Sequence, residues 1–192
     1  MEKVRISDVT MKQAAEGFCL SFKEKIELSK LLDKLGIDVI ELEGIENPRI
    51  DTLRIKSIAA AVAGSTVAVP VQLSQESVDA VWNALQGAKK PRLQVCAPAS
   101  SVQMEYLYHK KPEAMVEAVR QTVAACKALC EDVEFIADDA TRAETEFLTK
   151  MLEAAIDAGA TTVNQDFVTV SLTDAFQVST NHTETGVFTS RT

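Results

Sequence analysis

The chain has 192 residues, 46% hydrophobic and 25% charged, the balance of one soluble globular domain or part of a larger one. Its net charge of -8 argues against broad nucleic-acid binding and against docking on an anionic membrane surface. No apolar run is long enough to span a bilayer, and the start MEKVRISDVT has no apolar signal segment, so a cytoplasmic protein is expected.

The predicted elements alternate from the first residues onward. VRISDVT (4–10) is short and β-branched and reads as the first strand. Ser21 with Glu24 forms a capping box. Phe22, Ile26, Leu28, Leu31, Leu32 and Leu35 follow at helical spacing, and Gly36 stops the helix. DVIELE (38–43) is the second strand, followed by a helix over about 49–63. TVAVPVQL (66–73) is the third strand, and Ser74 caps a helix that runs to Gln86 and stops at Gly87. PRLQVCAP (91–98) is the fourth strand. After the linker SSVQMEYLYHKK comes a long helix over 112–131. DVEFIA (132–137) is the fifth strand, leading into Asp138 and Asp139. Thr141 and Glu144 predict a second capping box, with a helix running to Gly159 and TTVN (161–164) as a sixth strand.

Residues 167–192 differ in composition, with seven threonines against nine in the 166 residues before them. Irregular chain is expected there, beyond Phe176 at least. The predicted domains are 1–166 and a divergent tail, 167–192.

Strands alternating with helices at this pace imply right-handed βαβ units and a parallel sheet. Five units and a sixth strand fit in about 165 residues, whereas a closed eight-unit barrel takes ~250. The expected fold is therefore α/β, a partial (β/α)8 TIM-type barrel of five to six units or an open sheet. Open strand edges predict self-association or a homo-oligomer.

Four cysteines, Cys19, Cys96, Cys126 and Cys130, form no CxxC, and no histidine lies near the Cys126/Cys130 pair. They read as small core residues of a reducing compartment. No phosphate-binding glycine loop is present, and one Trp with 5% aromatics offers no stacking surface for single strands.

Three segments together carry a family resemblance: DKLGIDVIELE, VCAPASSVQMEYLYHKKPEAMVE, and DVEFIADDATRAETEFL followed by EAAIDAGATTVN. They resemble the acyl-CoA/2-oxo-acid condensing enzymes, that is the isopropylmalate, homocitrate and citramalate synthases and their lyase relatives. The likeness extends from residue 3 to about 164, and DFVTVSLTDAF (166–176) weakly echoes the next unit. It implies a metal-dependent (β/α)8 barrel that takes an acyl-CoA as substrate, forms its enolate and adds it to a 2-oxo acid. It also implies a small-molecule substrate, with no nucleic-acid or membrane partner.

The resemblance assigns roles residue by residue. The family's D-x-T-L-R-D-G at the first strand end corresponds to Asp8-Val9-Thr10-Met11-Lys12-Gln13-Ala14. Lys12 stands where the family has the Arg that stabilises developing negative charge, keeping the charge but not the planar fork. Gln13 replaces a metal-binding Asp with a neutral amide. Asp138 stands where the family has its catalytic Glu, one methylene shorter. Gln103 corresponds to a His of the fourth-strand loop. The family's His-x-His is absent, since His109 and His182 are the only histidines. The divalent metal expected from the family (Mg, Mn or Zn) therefore has no retained ligand set.

Lys12 and Asp138 are the catalytic candidates, and Asp8, Gln13 and Glu41 the substrate-binding ones. Glu41 and Glu43, two apart, are expected to face one side, either as a substrate cluster or as a salt-bridge group with Lys12. Asp139 is expected to cap the following turn, and Ser100 and Ser101 to act as caps. Two functions stay open: an acyltransferase of reduced activity, or a non-catalytic, truncated relative acting as a binding or assembly partner.

Overall fold

Capping chemistry sets the helix boundaries that position everything else. The structure is a computed structural model that describes residues 5–12, 20–165, 168–171 and 177–180. Gln13, Cys19 and His182 lie outside the described residues. Its Cα positions cluster into two compact units, Met1–Val71 with Glu76–Leu93, and Gln72–Gln75 with Gln94–Thr192.

The first unit holds β1 (Ser7–Asp8), α1 (Phe22–Leu35), β2 (Val39–Glu41), α2 (Pro48–Ala61), β3 (Thr66–Val71) and most of α3 (Gln75–Leu85). Its strands are parallel, with Asp8 opposite Ile40 and Glu41 opposite Ala68. The capping box of Ser21 and Glu24 forms as expected, and Gly36 closes α1 at φ 80, a left-handed position that suits glycine. Asn47 caps α2, and Pro48 occupies its first turn. Ile40, Leu42, Ile55, Ile58, Val67, Val69 and Leu85 are buried between strands and helices. Leu32 is buried, but Leu31 and Leu35 are 58% and 77% exposed. Helical periodicity identified the helix, but the buried stripe is narrower than its apolar content.

Asp33, near the end of α1, ties that helix to the α2–β3 turn. Its carboxylate accepts the backbone N–H groups of Ala63, Gly64 and Ser65 at 3.0, 2.9 and 2.7 Å. Burial pushes its pKa up, but these donors outweigh burial and hold it down at about 2. A carboxyl whose folded pKa is depressed stabilises the fold above its unfolded pKa of ~4 and loses that contribution as pH falls through the folded value. Urea titrations of the wild type should therefore lose stability between about pH 4 and pH 2. Asp33→Ala should lower stability by about 2–3 kcal/mol at pH 7 and flatten that slope. An unchanged slope in the variant rules out Asp33 as its source.

The second unit holds the bulk of β4 (Pro91–Pro98), α4 (Ser101–Gln103), a π-helical turn (Met104–Tyr108), α5 (Pro112–Leu129), β5 (Val133–Asp138), α6 (Thr145–Asp157) and β6 (Thr162–Gln165). β5 and β6 are parallel, with Phe135 opposite Val163. Val95, Ala97, Met115, Val119, Val123, Phe135 and Met151 are fully or almost fully buried. Cys126 and Cys130 are buried and unbridged, and burial, with Cys130 adding to it, pushes the Cys126 thiol up to about 12. The predicted Thr141/Glu144 capping box does not form. Thr141 lies in a 3-10 turn (Ala140–Arg142), and α6 starts after Glu144 with no side-chain cap. Gly159 (φ 107) ends the α6–β6 turn, and an added Cβ would stand 2.8 Å from Lys127 Cγ. Gly159→Ala should cost about 1–3 kcal/mol in thermal or urea unfolding.

Beyond β6 the chain forms β7 (Val168–Ser171) and β8 (Gln177–Thr180), each antiparallel to the strand before it. Irregular chain is the expectation from composition for 177–180. Val-Thr-Val-Ser and Gln-Val-Ser-Thr carry the alternation and β-branching that make strands once a partner edge is present. The chain is α/β, a partial (β/α)8-type fold built from consecutive strand–helix units. Among the described residues, no helix is long and apolar enough to cross a membrane.

Candidate functional site

Each unit gathers polar side chains at the C-terminal ends of its strands, the edge where parallel α/β folds place their chemistry. In the first unit the carboxylate of Asp8 accepts the N–H of Thr10 at 3.1 Å and its hydroxyl at 3.0 Å. This Asx-type turn winds Thr10–Lys12 into a 3-10 helix anchored by buried Met11. Lys12 is thereby turned back onto the end of β2, where its ammonium donates to Glu41 Oε2 at 2.7 Å. Ser7 Oγ donates to Glu41 Oε1 at 2.6 Å.

Glu43 belongs to another group. It pairs with Lys25 at 2.6 Å and with Arg54 at 2.9 Å, and Arg54 also pairs with Asp51 at 2.9 Å. The expectation that Glu41 and Glu43 act together is corrected here. β2 ends at Glu41, so strand alternation no longer governs where Glu43 points.

These donors do not fit a divalent metal. Both oxygens of Glu41 are engaged, one of them by a fixed cation, and the Asp8 carboxylate holds its own turn. Among the described residues no group of three or more His, Cys, Asp and Glu side chains is arranged to hold a metal ion.

In the second unit Asp138 is the last residue of β5, and its carbonyl accepts the N–H of Ala99 at 2.8 Å, joining the β4 and β5 ends. Asp139 takes a left-handed conformation, φ 58. Asp139 provides no side-chain cap to the turn that follows, against expectation. Its carboxylate instead grips the Arg142 guanidinium, with Nε 2.7 and 2.9 Å from the two oxygens, and accepts the Ser100 hydroxyl. Arg142 first, then Ser100, holds the Asp139 carboxyl below its ordinary range. Ser100 also caps α4 by accepting Gln103 N–H, as expected of a loop serine. The two loops at this edge are thus clamped beside Asp138.

Tyr108 is the residue that pattern reading missed. It ends the π-helical turn, which closes at left-handed His109, φ 50. Burial, then the charges of Asp138 and Cys96, raise its pKa. A π-turn has no periodic signature in sequence, so no signal singled this tyrosine out.

The model of the HMGL-like family matches residues 3–181. The chain belongs to the HMGL-like family. Two similar relatives are the 2-isopropylmalate synthases of Clostridium kluyveri, 36% identical over 165 residues, and Halalkalibacterium halodurans, 34% identical over 166 residues. Each alignment covers 85% of this chain and 32% of the relative, so this HMGL-like chain spans about a third of their length. The fold is similar to that of hydroxymethylglutaryl-CoA lyase from Pseudomonas aeruginosa, with TM-score 0.62 and 16% identity, covering 85% of this chain and 57% of the lyase. The Bacillus subtilis HMG-CoA lyase gives TM-score 0.60 and 18% identity, covering 77% of this chain and 52% of the lyase.

Proposed function

We propose that this HMGL-like chain performs condensing or lyase-type chemistry at the carbon beside an acyl-CoA carbonyl, in the manner of a 2-isopropylmalate synthase acting on a 2-oxo acid. Asp138 carries the reading: a carboxylate closing a parallel strand, flanked by a clamp that fixes both neighbouring loops. Such a carboxylate can take a proton from the acyl carbon as general base and return one later as acid. Lys12 supplies positive charge for oxygen anions, tempered by its bond to Glu41. Asp8, Gln13 and Glu41 are assigned to the substrate.

The family works with a divalent metal in general, but among the described residues the donors do not suit one, and this reading routes no step through it. The shorter Asp138 implies slower turnover than a Glu at the same place.

The test is thiol release from acetyl-CoA with a panel of 2-oxo acids, with and without Mg2+ or Mn2+. Release that depends on a 2-oxo acid and vanishes in Asp138→Ala supports the reading. Release indistinguishable from the Asp138→Ala background sinks it and leaves a non-catalytic family member.

A further inference from the structure

We propose that a second copy of this chain docks on the connection between β4 and α5, the exposed turn at Tyr106 and Leu107 of each copy filling the apolar cleft between the α5 and α6 starts of the other. The proposal is independent of the chemistry proposed above.

The turn is built to project. Met104, 3% exposed, buries its base, and the N–H of Lys110 closes it on the Met104 carbonyl at 3.2 Å. Between these anchors Tyr106 and Leu107 are 71% and 68% exposed, with Val102 before them at 49%. Single exposed apolar residues are ordinary, but a cluster of them rimmed by charge marks a contact surface. A hydrogen-bonded turn also holds its tip in place, so docking it costs little ordering entropy.

The receiving surface lies beside it in the same unit. A cleft of about 320 Å3 opens between the first turns of α5 and α6, with Ala99, Met104, Pro112, Val116 and Phe147 as its apolar lining. Glu113, Glu144 and Glu146 also line it, against one cation, Lys150, which is tied to Glu146 at 2.7 Å. Three carboxylates against one ammonium leave an excess of two negative charges. A turn whose tip stays exposed does not fill its own cleft, so the occupant comes from another molecule.

Charge selects that molecule. In the exposed turn Glu105 precedes the tip, and Lys110 and Lys111 follow it, leaving one net positive charge. Among the described residues neither lysine has an ion-pair partner. A tip of Tyr and Leu followed by two lysines matches an apolar cleft with an acidic rim, and one chain carries both. Turn and cleft adjoin at Met104, so a two-fold axis lets each copy give its turn and receive the other's. Edge pairing, by contrast, would join backbone groups of β1 or β8.

The experiment is sedimentation velocity on the full chain from ~1 to ~300 μM, the range in which a small interface of one turn and one cleft per copy dissociates. The wild type should pass from monomer to dimer and should weaken as salt rises, because exposed opposite charges are screened. Leu107→Glu should raise the dissociation constant about 30-fold, the loss of one interface anchor. Lys110→Glu with Lys111→Glu, and separately Glu144→Lys with Glu146→Lys, should each be monomeric, with circular dichroism and urea midpoints matching the wild type. Mixed in equal amounts, these two double variants should form a heterodimer, because each turn then meets a cleft of opposite sign. A wild type that stays monomeric overturns the proposal and leaves the cleft to another occupant. A dimer that Leu107→Glu or salt leaves intact, or folded variants that do not recover on mixing, also overturn it and return self-association to the strand edges.

Discussion

Asp138→Glu is expected to raise the rate of thiol release about 100-fold. The substitution adds one methylene at the end of β5 and moves the carboxylate by ~1 Å, and a displacement of that size at a reacting centre is worth ~100-fold. The family resemblance implies a Glu at this place, and the substitution restores that length. Asp138 is not fully buried, and what joins it to the β4 end is its backbone carbonyl, which the change leaves alone. The neighbouring clamp belongs to Asp139, Ser100 and Arg142 and should also be preserved. The measurement is a paired progress curve of wild type and variant against an Asp138→Asn background, at matched far-UV circular dichroism. An equal or lower rate in the Glu variant says that the site is tuned to Asp, which contradicts the account of reduced activity.

Phe135→Ala is expected to cost about 3–5 kcal/mol, read as a fall in the urea midpoint at constant slope. Phe135 is the largest of the fully buried side chains, at 0% exposure, in the middle of β5 opposite Val163. Deleting its ring leaves a cavity inside a strand that is tied on one side to β6 and at its end to the β4 loop, so little collapse is available. A domain stable by ~5–15 kcal/mol loses a large part of its margin in this way. A cost below ~1 kcal/mol means that the core around β5 is not packed as described.

These two residues mark opposite ends of what a sequence displays. Phe135 sits in DVEFIA, where alternation and β-branching announce a strand. β4 falls on the predicted residues, and β5 and β6 within one residue of theirs. Ser21 and Gly36 announced the ends of α1 because capping is a local, short-range chemistry. Thr141 and Glu144 show the limit of the same argument. The spacing of a capping box was present, but Asp139 in a left-handed conformation started a 3-10 turn that consumed Thr141. The candidate site was legible only where single residues matched a motif. Asp8, Lys12 and Asp138 became candidates that way. The bond from Lys12 to Glu41 and the grip of Asp139 on Ser100 join residues 29 and 39 positions apart, and no periodicity reports such pairs.

By itself the sequence determined the alternation of strands and helices and the family. These are properties of spacing and residue type, which short-range propensity and motif chemistry encode directly. Tertiary structure alone decided which charges meet. It separated Glu43 from Glu41 once β2 ended, and it turned Asp139 from a cap into a clamp. The physical reason is that electrostatic partnership depends on distance in space, and that distance is set by strand pairing and turn geometry rather than by position in the chain.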